Sequence, residues 1–285
     1  MALISRLSTS GPRSGPRSGP GQASRCKWRF RLLFLLAISA GCARQLVPAV
    51  QLPPASGKPT VPSLEIAKLK ERSNFWRDYQ CKFRIRVDSK TSKFISRALV
   101  LAKEPNFLRF ETFTPLGQTA ALYVSNETGP SLMIPSEKAI FTARRSETLA
   151  REFLGIDLPV DLFRWLLTAS VPPEQIDHSE SRLDGGLWRL ISNSAGAYFE
   201  WQISARPPAL QGLLVHSTGF EGRVSYDPPV ELTKDAAPGK IRISSNEWSL
   251  EISLEQLMPA PQFRPSAFYM PNLVDVRKVD LDAIK

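Results

Sequence analysis

The side chains that could perform chemistry are few and widely separated. The two histidines, His178 and His216, lie too far apart for the spacings at which paired histidines bind a metal. The three cysteines form no CxxC pair that would suit zinc or redox chemistry. The chain also lacks a GxSxG, HExxH or glycine-rich phosphate motif. We therefore predict no catalytic centre, no metal and no cofactor, and a protein that acts by binding.

Cys42 stands at the end of a segment with the composition of a secretory leader. A basic stretch at 25–31 precedes the apolar run 32–38, and the small residues Ser39-Ala40-Gly41 lead directly to Cys42. The apolar run is too short to span a bilayer core of roughly 30 Å. The pattern resembles a bacterial lipobox, which predicts acylation of the Cys42 thiol and cleavage before it. The alternative is a general secretory signal with an incidental cysteine. In the lipobox interpretation, residues 1–41 are a disordered N-terminus followed by a signal peptide.

Acylation of Cys42 would attach the mature protein to a membrane through two or three acyl chains, which anchor more stably than one. The residue after Cys42 is Ala43 and not aspartate. By resemblance to enterobacterial sorting rules, this residue favours sorting to the periplasmic face of the outer membrane. Residues 42–63 are rich in proline, which predicts an extended tether between the anchor and the domain.

The positive charge of the chain belongs largely to the leader. The full sequence has a net charge of +10, with 37 basic and 27 acidic residues. Residues 1–41 contain seven basic residues and no acid, so the remainder has 30 basic residues against 27 acidic ones. A balance this close to neutral gives little electrostatic reason to expect phosphate-backbone binding, and we predict no nucleic-acid partner.

A two-residue period dominates the chain after the tether. Apolar side chains alternate with basic ones over Cys81–Val87, and the alternation at Trp248–Glu255 is strict through eight residues. Helical patterns interrupt the strands in the middle of the chain, where Ser146 caps one candidate and Pro159 begins another. We predict a mainly β fold with a helical insert, in which about ten or eleven strands form a curved antiparallel sheet covered by α-helices. A propeller or a sandwich would give a similar number of strands.

The order of these motifs resembles the outer-membrane lipoprotein receptor LolB and its relatives. The resemblance covers residues 64–255. The motifs that carry it are Cys42, Phe75-Trp76, Leu108-Arg109-Phe110-Glu111, Thr114-Pro115-Leu116-Gly117-Gln118-Thr119, Phe153-Leu154-Gly155-Ile156-Asp157-Leu158-Pro159-Val160 and Phe163-Arg164-Trp165-Leu166-Leu167.

This resemblance implies an unclosed, half-barrel sheet around a hydrophobic cavity that receives the acyl chains of lipoproteins from a periplasmic LolA-like carrier. It also implies that Leu116, in the loop Pro115-Leu116-Gly117, assists delivery into the membrane; a leucine folded back onto the core is the alternative. The domain would span 64–257, followed by a C-terminal extension at 258–285. The longer stretch at 177–240 and the extension depart from the family pattern.

We predict that eight large apolar side chains contribute to the lining of such a cavity, with ordinary core packing as the alternative for each. They are Phe83, Ile85, Phe110, Leu122, Phe153, Trp165, Trp201 and Leu250. A chain with this fold could also act as a protein-binding scaffold or regulator in the cell envelope. The two functions differ in whether the interior admits an acyl chain.

Overall fold

The computed structural model describes residues 61–285, except 91–92, 155–159, 195–196, 218–219, 260, 273 and 284–285. Cys42, the tether before Val61, and Gly155 and Pro159 of the helical insert therefore lie outside the described residues. Residues 58–285 form one compact unit.

The described part of the chain contains fourteen strands and four α-helices. The helices are α1 (Ser63–Phe75), α2 (Ser146–Leu154), α3 (Phe163–Leu166) and α4 (Pro173–Asp177). The strands are β1 (Tyr79–Ser89), β2 (Lys93–Lys103), β3 (Phe107–Phe113), β4 (Thr119–Asn126), β5 (Gly129–Ile134), β6 (Ala139–Thr142), β7 (Glu180–Asp184), β8 (Leu187–Ser194), β9 (Ala197–Ala205), β10 (Pro208–Ser217), β11 (Phe220–Glu231), β12 (Lys240–Ser244), β13 (Trp248–Pro259) and β14 (Arg277–Asp280).

All fourteen strands belong to one sheet, in the order β14-β6-β5-β4-β3-β2-β1-β13-β12-β11-β10-β9-β8-β7. Two antiparallel meanders, β1 to β6 and β7 to β13, are joined where β1 pairs with β13, so that Val87 lies opposite Leu250. The two edge strands, β14 and β7, do not pair with each other, and the sheet is unclosed. The expected curved antiparallel sheet with a helical cover is therefore confirmed.

The strand count is higher than expected, at fourteen instead of ten or eleven. Strand β7 was not expected because it is a charged edge strand, Glu-Ser-Arg-Leu-Asp, with mostly exposed residues. Strand β14 has four residues and pairs in parallel with β6, which departs from a pure meander. Both strands lie at the edges of the sheet, where burial imposes little alternation on the sequence.

The inner face of the sheet carries the main hydrophobic core. In β1 the buried side chains Cys81, Phe83, Ile85 and Val87 alternate with basic residues that point outward, as the two-residue period of a half-buried strand requires. These side chains belong to one cluster that extends across both meanders and includes residues of the helices. The inner face is thus one continuous apolar surface, and it is the face that the helices cover.

The outer face of β4 to β6 carries a second, smaller cluster. Its buried members are Leu122, Val124, Met133 and Ile140, against which Met270 and Val276 of the C-terminal extension pack. The extension is also held by hydrogen bonds, because Asn126 Nδ2 donates to the Phe268 carbonyl at 2.8 Å and an Arg109 guanidinium nitrogen donates to the Ala267 carbonyl at 3.2 Å. The extension therefore covers an apolar patch that would otherwise face water.

Candidate functional site

The inner face of the sheet is covered by residues 146–177, which contain α2, α3 and α4 and are called the cover below. Leu149, Leu166, Leu167 and Ile176 are buried on the side of the cover that faces the sheet. They belong to the same cluster as the inward side chains of the strands. The candidate site is this apolar contact between the cover and the inner face.

Three phenylalanines form a stack that runs from the sheet into the cover. The ring centroids of Phe83 and Phe110 are 5.9 Å apart with an interplanar angle of 26°. The rings of Phe110 and Phe163 are 5.7 Å apart with an angle of 24°. Such pairs contribute about 0.5 to 1.5 kcal/mol each beyond the area that they bury. The stack is therefore one of the main apolar links between the sheet and α3.

The structure brings six of the eight predicted lining residues into the main cluster. Phe83, Ile85, Trp201 and Leu250 are fully buried there, and Phe110 and Phe153 are half-buried against it. The Phe153 ring also lies 4.5 Å from that of Phe141.

The other two predicted lining residues lie elsewhere. Trp165 is a half-buried residue of α3 whose ring is contacted by the Arg164 guanidinium at 5.5 Å. Leu122 points to the outer face and belongs to the second cluster, so it does not line the interior. The sequence could not assign its face, because β4 reads Thr-Ala-Ala-Leu-Tyr-Val and its apolar residues do not alternate.

The interior is closed in this conformation. Side chains that lined an empty cavity would keep accessible area, yet Phe83, Leu166, Leu167 and Trp201 are each 0% exposed. Two clefts of about 590 and 380 Å³ lie outside the interior and are lined largely by polar residues such as Arg144, Asp280 and Glu104. Among the described residues, an acyl chain therefore has no preformed space against these four side chains, and the cover must move for one to reach them.

A buried arginine of α1 fixes the cover and a neighbouring loop. Arg72 is 0% exposed, and its guanidinium donates to the Ala169 carbonyl at 2.8 Å and also to that of Thr168. The same group donates to the carbonyls of Thr233 and Ala236, each at 2.6 Å, in the segment between β11 and β12. Burial lowers the pKa of Arg72 to about 10, although Tyr226 and Asp235 act in the opposite direction. Four carbonyl oxygens thus replace the water that the buried charge has lost.

Four more buried side chains donate hydrogen bonds to residues of the cover. Ser73 Oγ donates to the Val171 carbonyl at 2.6 Å, and the Tyr79 hydroxyl donates to the Arg164 carbonyl at 2.8 Å. Trp201 Nε1 donates to Gln175 Oε1 at 2.8 Å, and the Tyr226 hydroxyl donates to the Leu166 carbonyl at 3.3 Å. Burial raises the pKa of both tyrosines well above the usual value, so both hydroxyls stay protonated as donors. With Arg72 these residues form the anchor set, whose contacts all lie between 164 and 175 in the cover.

Sequence reasoning missed the anchor set because polar and aromatic side chains on a predicted element are usually assigned to its surface. A weak signal was present in α1, where Leu69, Arg72 and Ser73 share one face at the spacing i, i+3 and i+4. That face is the buried face of the helix. Arg72 therefore stands at a core position, and a charge at such a position needs built-in partners.

The loop between β3 and β4 presents its leucine to solvent. Thr114 N donates to the Gln118 carbonyl at 2.8 Å and Gly117 N to the Thr114 carbonyl at 2.9 Å, which closes a tight turn. Gly117 has a φ of +81°, a conformation that residues with a side chain rarely adopt. Leu116, between this glycine and Pro115, is 87% exposed. The turn therefore holds a large apolar side chain away from the core.

Cys81 is buried in β1, as expected of a small apolar residue, and burial raises the pKa of its thiol to about 12. We expect this cysteine of fragment 58–285 to react with iodoacetamide at pH 8 on the order of a thousandfold more slowly than an unfolded cysteine, because the thiolate is the nucleophile. Mass spectrometry after timed alkylation measures the rate, and the same fragment in urea is the control. Equal rates in the two samples would contradict the buried, protonated thiol.

The described residues contain no group of three His, Cys, Asp or Glu side chains placed to hold a metal ion. Within the same part of the chain, no helix has the length and apolar character needed to cross a bilayer. The site described above consists of apolar contacts and of hydrogen bonds, most of which go to backbone carbonyls.

The fold is an open antiparallel sheet whose apolar inner face is covered by short helices. The family model described as "Outer membrane lipoprotein LolB" matches residues 77–256, and the chain belongs to this family. The family is one of outer-membrane lipoproteins. Membership indicates a role in lipoprotein binding. A search of curated proteins gives no sequence match.

Several solved structures are similar to this chain at low sequence identity. A LolA superfamily protein from Nitrosomonas europaea has a TM-score of 0.49 and 9% identity, and the match covers 72% of this chain and 96% of that one. A domain named for outer membrane lipoprotein sorting, from Vibrio parahaemolyticus, has a TM-score of 0.46 and 14% identity, with coverage of 72% and 95%. A DUF1329 family protein from Desulfovibrio piger has a TM-score of 0.49, 8% identity and coverage of 73% and 96%.

Proposed function

We propose that this protein accepts the acyl chains of lipoproteins between its cover and the inner face of its sheet, and inserts those lipoproteins into the outer membrane. The observation that carries the proposal is the apolar contact between cover and sheet, in which the Phe83, Phe110 and Phe163 rings stack. An acyl chain offers the same kind of contact, and it could replace the cover against the inner face. The proposed lining is Phe83, Ile85, Phe110, Phe153, Trp201 and Leu250.

The free energies of opening and binding are of similar size, which favours reversible binding. Five anchoring residues that contribute roughly 1 to 2 kcal/mol each hold the cover with about 5 to 10 kcal/mol. Burial of a sixteen-carbon chain contributes on the order of 10 kcal/mol at about 0.8 kcal/mol for each methylene. A binding protein must release its cargo, so its closed state has to compete with the bound chain. The anchor set provides that competition.

The distribution of the anchors indicates which part of the cover moves. The anchor set holds residues 164–175, whereas α2 contacts the sheet through Leu149, Ala150 and Phe153. Apolar contacts with α2 can be replaced directly by contacts with an acyl chain. We therefore expect α2 to separate from the sheet first, and α3 and α4 to separate only when the hydrogen bonds of the anchor set break.

Delivery requires a route from a donor to a membrane. In the proposal, an acylated Cys42 holds the protein at the periplasmic face of the outer membrane, and residues 43–60 allow the domain to move above it. A periplasmic LolA-like carrier supplies the lipoprotein, and exposed Leu116 enters the bilayer at release. Family membership is consistent with binding as the function.

The closed interior favours a second candidate, in which the chain is a scaffold or regulator that binds a protein of the cell envelope. In that case the fully buried Phe83, Leu166 and Trp201 are a permanent core, and the cover never opens. The two candidates make opposite predictions for acyl chains, while both are compatible with an anchor at Cys42.

The experiment that separates them uses fragment 58–285 and a fluorescent fatty acid in buffer without vesicles. Acyl-chain binding gives a saturable rise in fluorescence, which a triacylated lipopeptide reverses. The same peptide without its acyl chains is the matched control and should not reverse it. No saturable signal, together with a protein partner recovered by crosslinking in the cell envelope, would favour the scaffold.

A further inference from the structure

The outer face of β1 and β2 carries a row of basic side chains at alternate positions. The charged outward residues on these two strands are the basic Lys82, Arg84, Arg86, Lys93, Arg97 and Lys103, with Asp88 as the one acid. Asp88 Oδ1 lies 3.0 Å from Lys93 Nζ, and Glu255 of β13 lies 3.8 Å from Arg84 and 3.9 Å from Arg97. Arg86 forms no ion pair with any described residue. The face therefore has an excess of positive charge.

Apolar side chains lie next to this charge at one end of the sheet; Ile95 and Leu116 are exposed and Phe113 is half-buried. Ile95 is 62% exposed and lies directly opposite Arg86 in the pairing of β1 with β2. Phe113, the last residue of β3, lies opposite Arg97 and belongs to neither hydrophobic cluster. Strand β3 ends at Phe113, and the turn that carries Leu116 follows it in the chain. The tip surface is defined by these six residues: Arg86, Lys93, Ile95, Arg97, Phe113 and Leu116.

We propose that the tip surface docks on a bilayer rich in anionic phospholipid, with Arg86, Lys93 and Arg97 at the headgroups and Ile95, Phe113 and Leu116 in the interfacial layer. This inference rests on the proposed function, which it deepens by naming the lipid class at the site of delivery. Charge complementarity supports it, because each basic residue near an anionic surface strengthens binding about fivefold. Apolar side chains that project among basic ones suit an interface in which one layer is charged and the next is oily.

The tether permits this orientation. Eighteen residues separate Cys42 from Val61, and a chain of that length reaches at most roughly 60 Å when fully extended. An anchor on such a tether does not select the face that meets the membrane, so the surface chemistry of the domain must do so. The tip surface combines basic and apolar residues at one end of the outer face of β1, β2 and β3 and the turn that follows β3.

The test measures binding of fragment 58–285 to vesicles by flotation, without an anchor on the protein. We expect stronger binding to vesicles of equimolar phosphatidylcholine and phosphatidylglycerol than to vesicles of phosphatidylcholine alone, and weaker binding as salt is added. Arg86→Gln and Arg97→Gln should each weaken binding to the anionic vesicles about fivefold. Lys103→Gln is the matched control, since it removes an exposed cation from the far end of the same strand β2 and should leave binding unchanged.

Two results would overturn the inference: equal binding to neutral and anionic vesicles, or equal losses in Lys103→Gln and Arg86→Gln. Binding of an acidic protein through Arg86, in the absence of charge-dependent binding to vesicles, would also overturn it.

The fluorescent fatty acid assay without vesicles distinguishes failure of this inference from failure of the proposed function. If the acyl probe binds and the vesicle results fail, the docking surface is wrong and the proposed function stands. If the acyl probe does not bind, the proposed function fails whatever the vesicles show.

Discussion

Replacement of Arg72 by methionine should lower the free energy of unfolding by about 3 to 5 kcal/mol, because it leaves two buried and two partly buried carbonyl oxygens without their donor. Methionine keeps much of the apolar stem of arginine, so the loss reports the hydrogen bonds more than a cavity. Two of the carbonyls belong to the cover and two to the segment between β11 and β12. The loss should therefore loosen both. Urea unfolding of fragment 58–285, followed by tryptophan fluorescence, measures the change.

The matched control for this change is Arg77→Met, at the nearby arginine that follows α1. Arg77 pairs with Glu104 at the surface, and exposed ion pairs contribute about 0 to 1 kcal/mol. Arg72→Met should also raise the affinity for the fluorescent fatty acid, since the closed state then competes less well with the bound chain. Equal stability losses in the two variants would contradict the role given to Arg72, and so would an unchanged affinity in a stable Arg72→Met protein.

Replacement of Leu116 by glutamate should slow the transfer of a bound lipopeptide to neutral phosphatidylcholine vesicles about tenfold or more. Insertion of a leucine side chain into an apolar layer contributes about 1.5 to 3 kcal/mol, and a carboxylate gains nothing comparable there. Leu116 is 87% exposed, so its replacement should change the free energy of unfolding by no more than about 0.5 kcal/mol. A fluorescent lipopeptide loaded onto fragment 58–285 reports the transfer when it enters vesicles that contain a quencher.

Leu183→Glu is the control for the loop variant, because Leu183 is also an exposed leucine, at 41%, but lies on the edge strand β7. Its transfer rate should equal that of the unaltered protein. Unchanged transfer by Leu116→Glu, with fold and acyl binding intact, would remove the delivery role of this loop. Neutral vesicles keep this result independent of the charge of the tip surface.

The sequence predicted the elements that are held by alternating burial. The alternations predicted at Cys81–Val87 and Trp248–Glu255 lie within β1 and β13, and α2 begins at the expected cap, Ser146. In these segments one face contacts the core and the other contacts water, so the spacing of apolar residues in the sequence matches the spacing of buried positions in the structure. The edge strands β7 and β14 lack that constraint, and their sequences gave no comparable signal.

The site residues were predictable only on strands that have one buried face and one exposed face. Phe83 and Ile85 lie on the inner face as expected, because β1 alternates strictly. Leu122 was assigned to the wrong face because the C-terminal extension covers the outer side of β4, so that both faces of this strand are buried. Arg72 is recognised as an anchor only in three dimensions, since the carbonyls it bonds are about 100 to 160 residues away in the chain.

Photocrosslinking tests most directly whether an acyl chain enters between the cover and the sheet. A palmitic acid analogue with a photoreactive group near its methyl end would be irradiated with fragment 58–285, and the labelled residues identified by mass spectrometry. The proposed function predicts labels at Phe83, Phe110 or Phe163 that excess triacylated lipopeptide removes. Labels confined to outward residues such as Ile95 and Leu116, with none on the inner face, would contradict it.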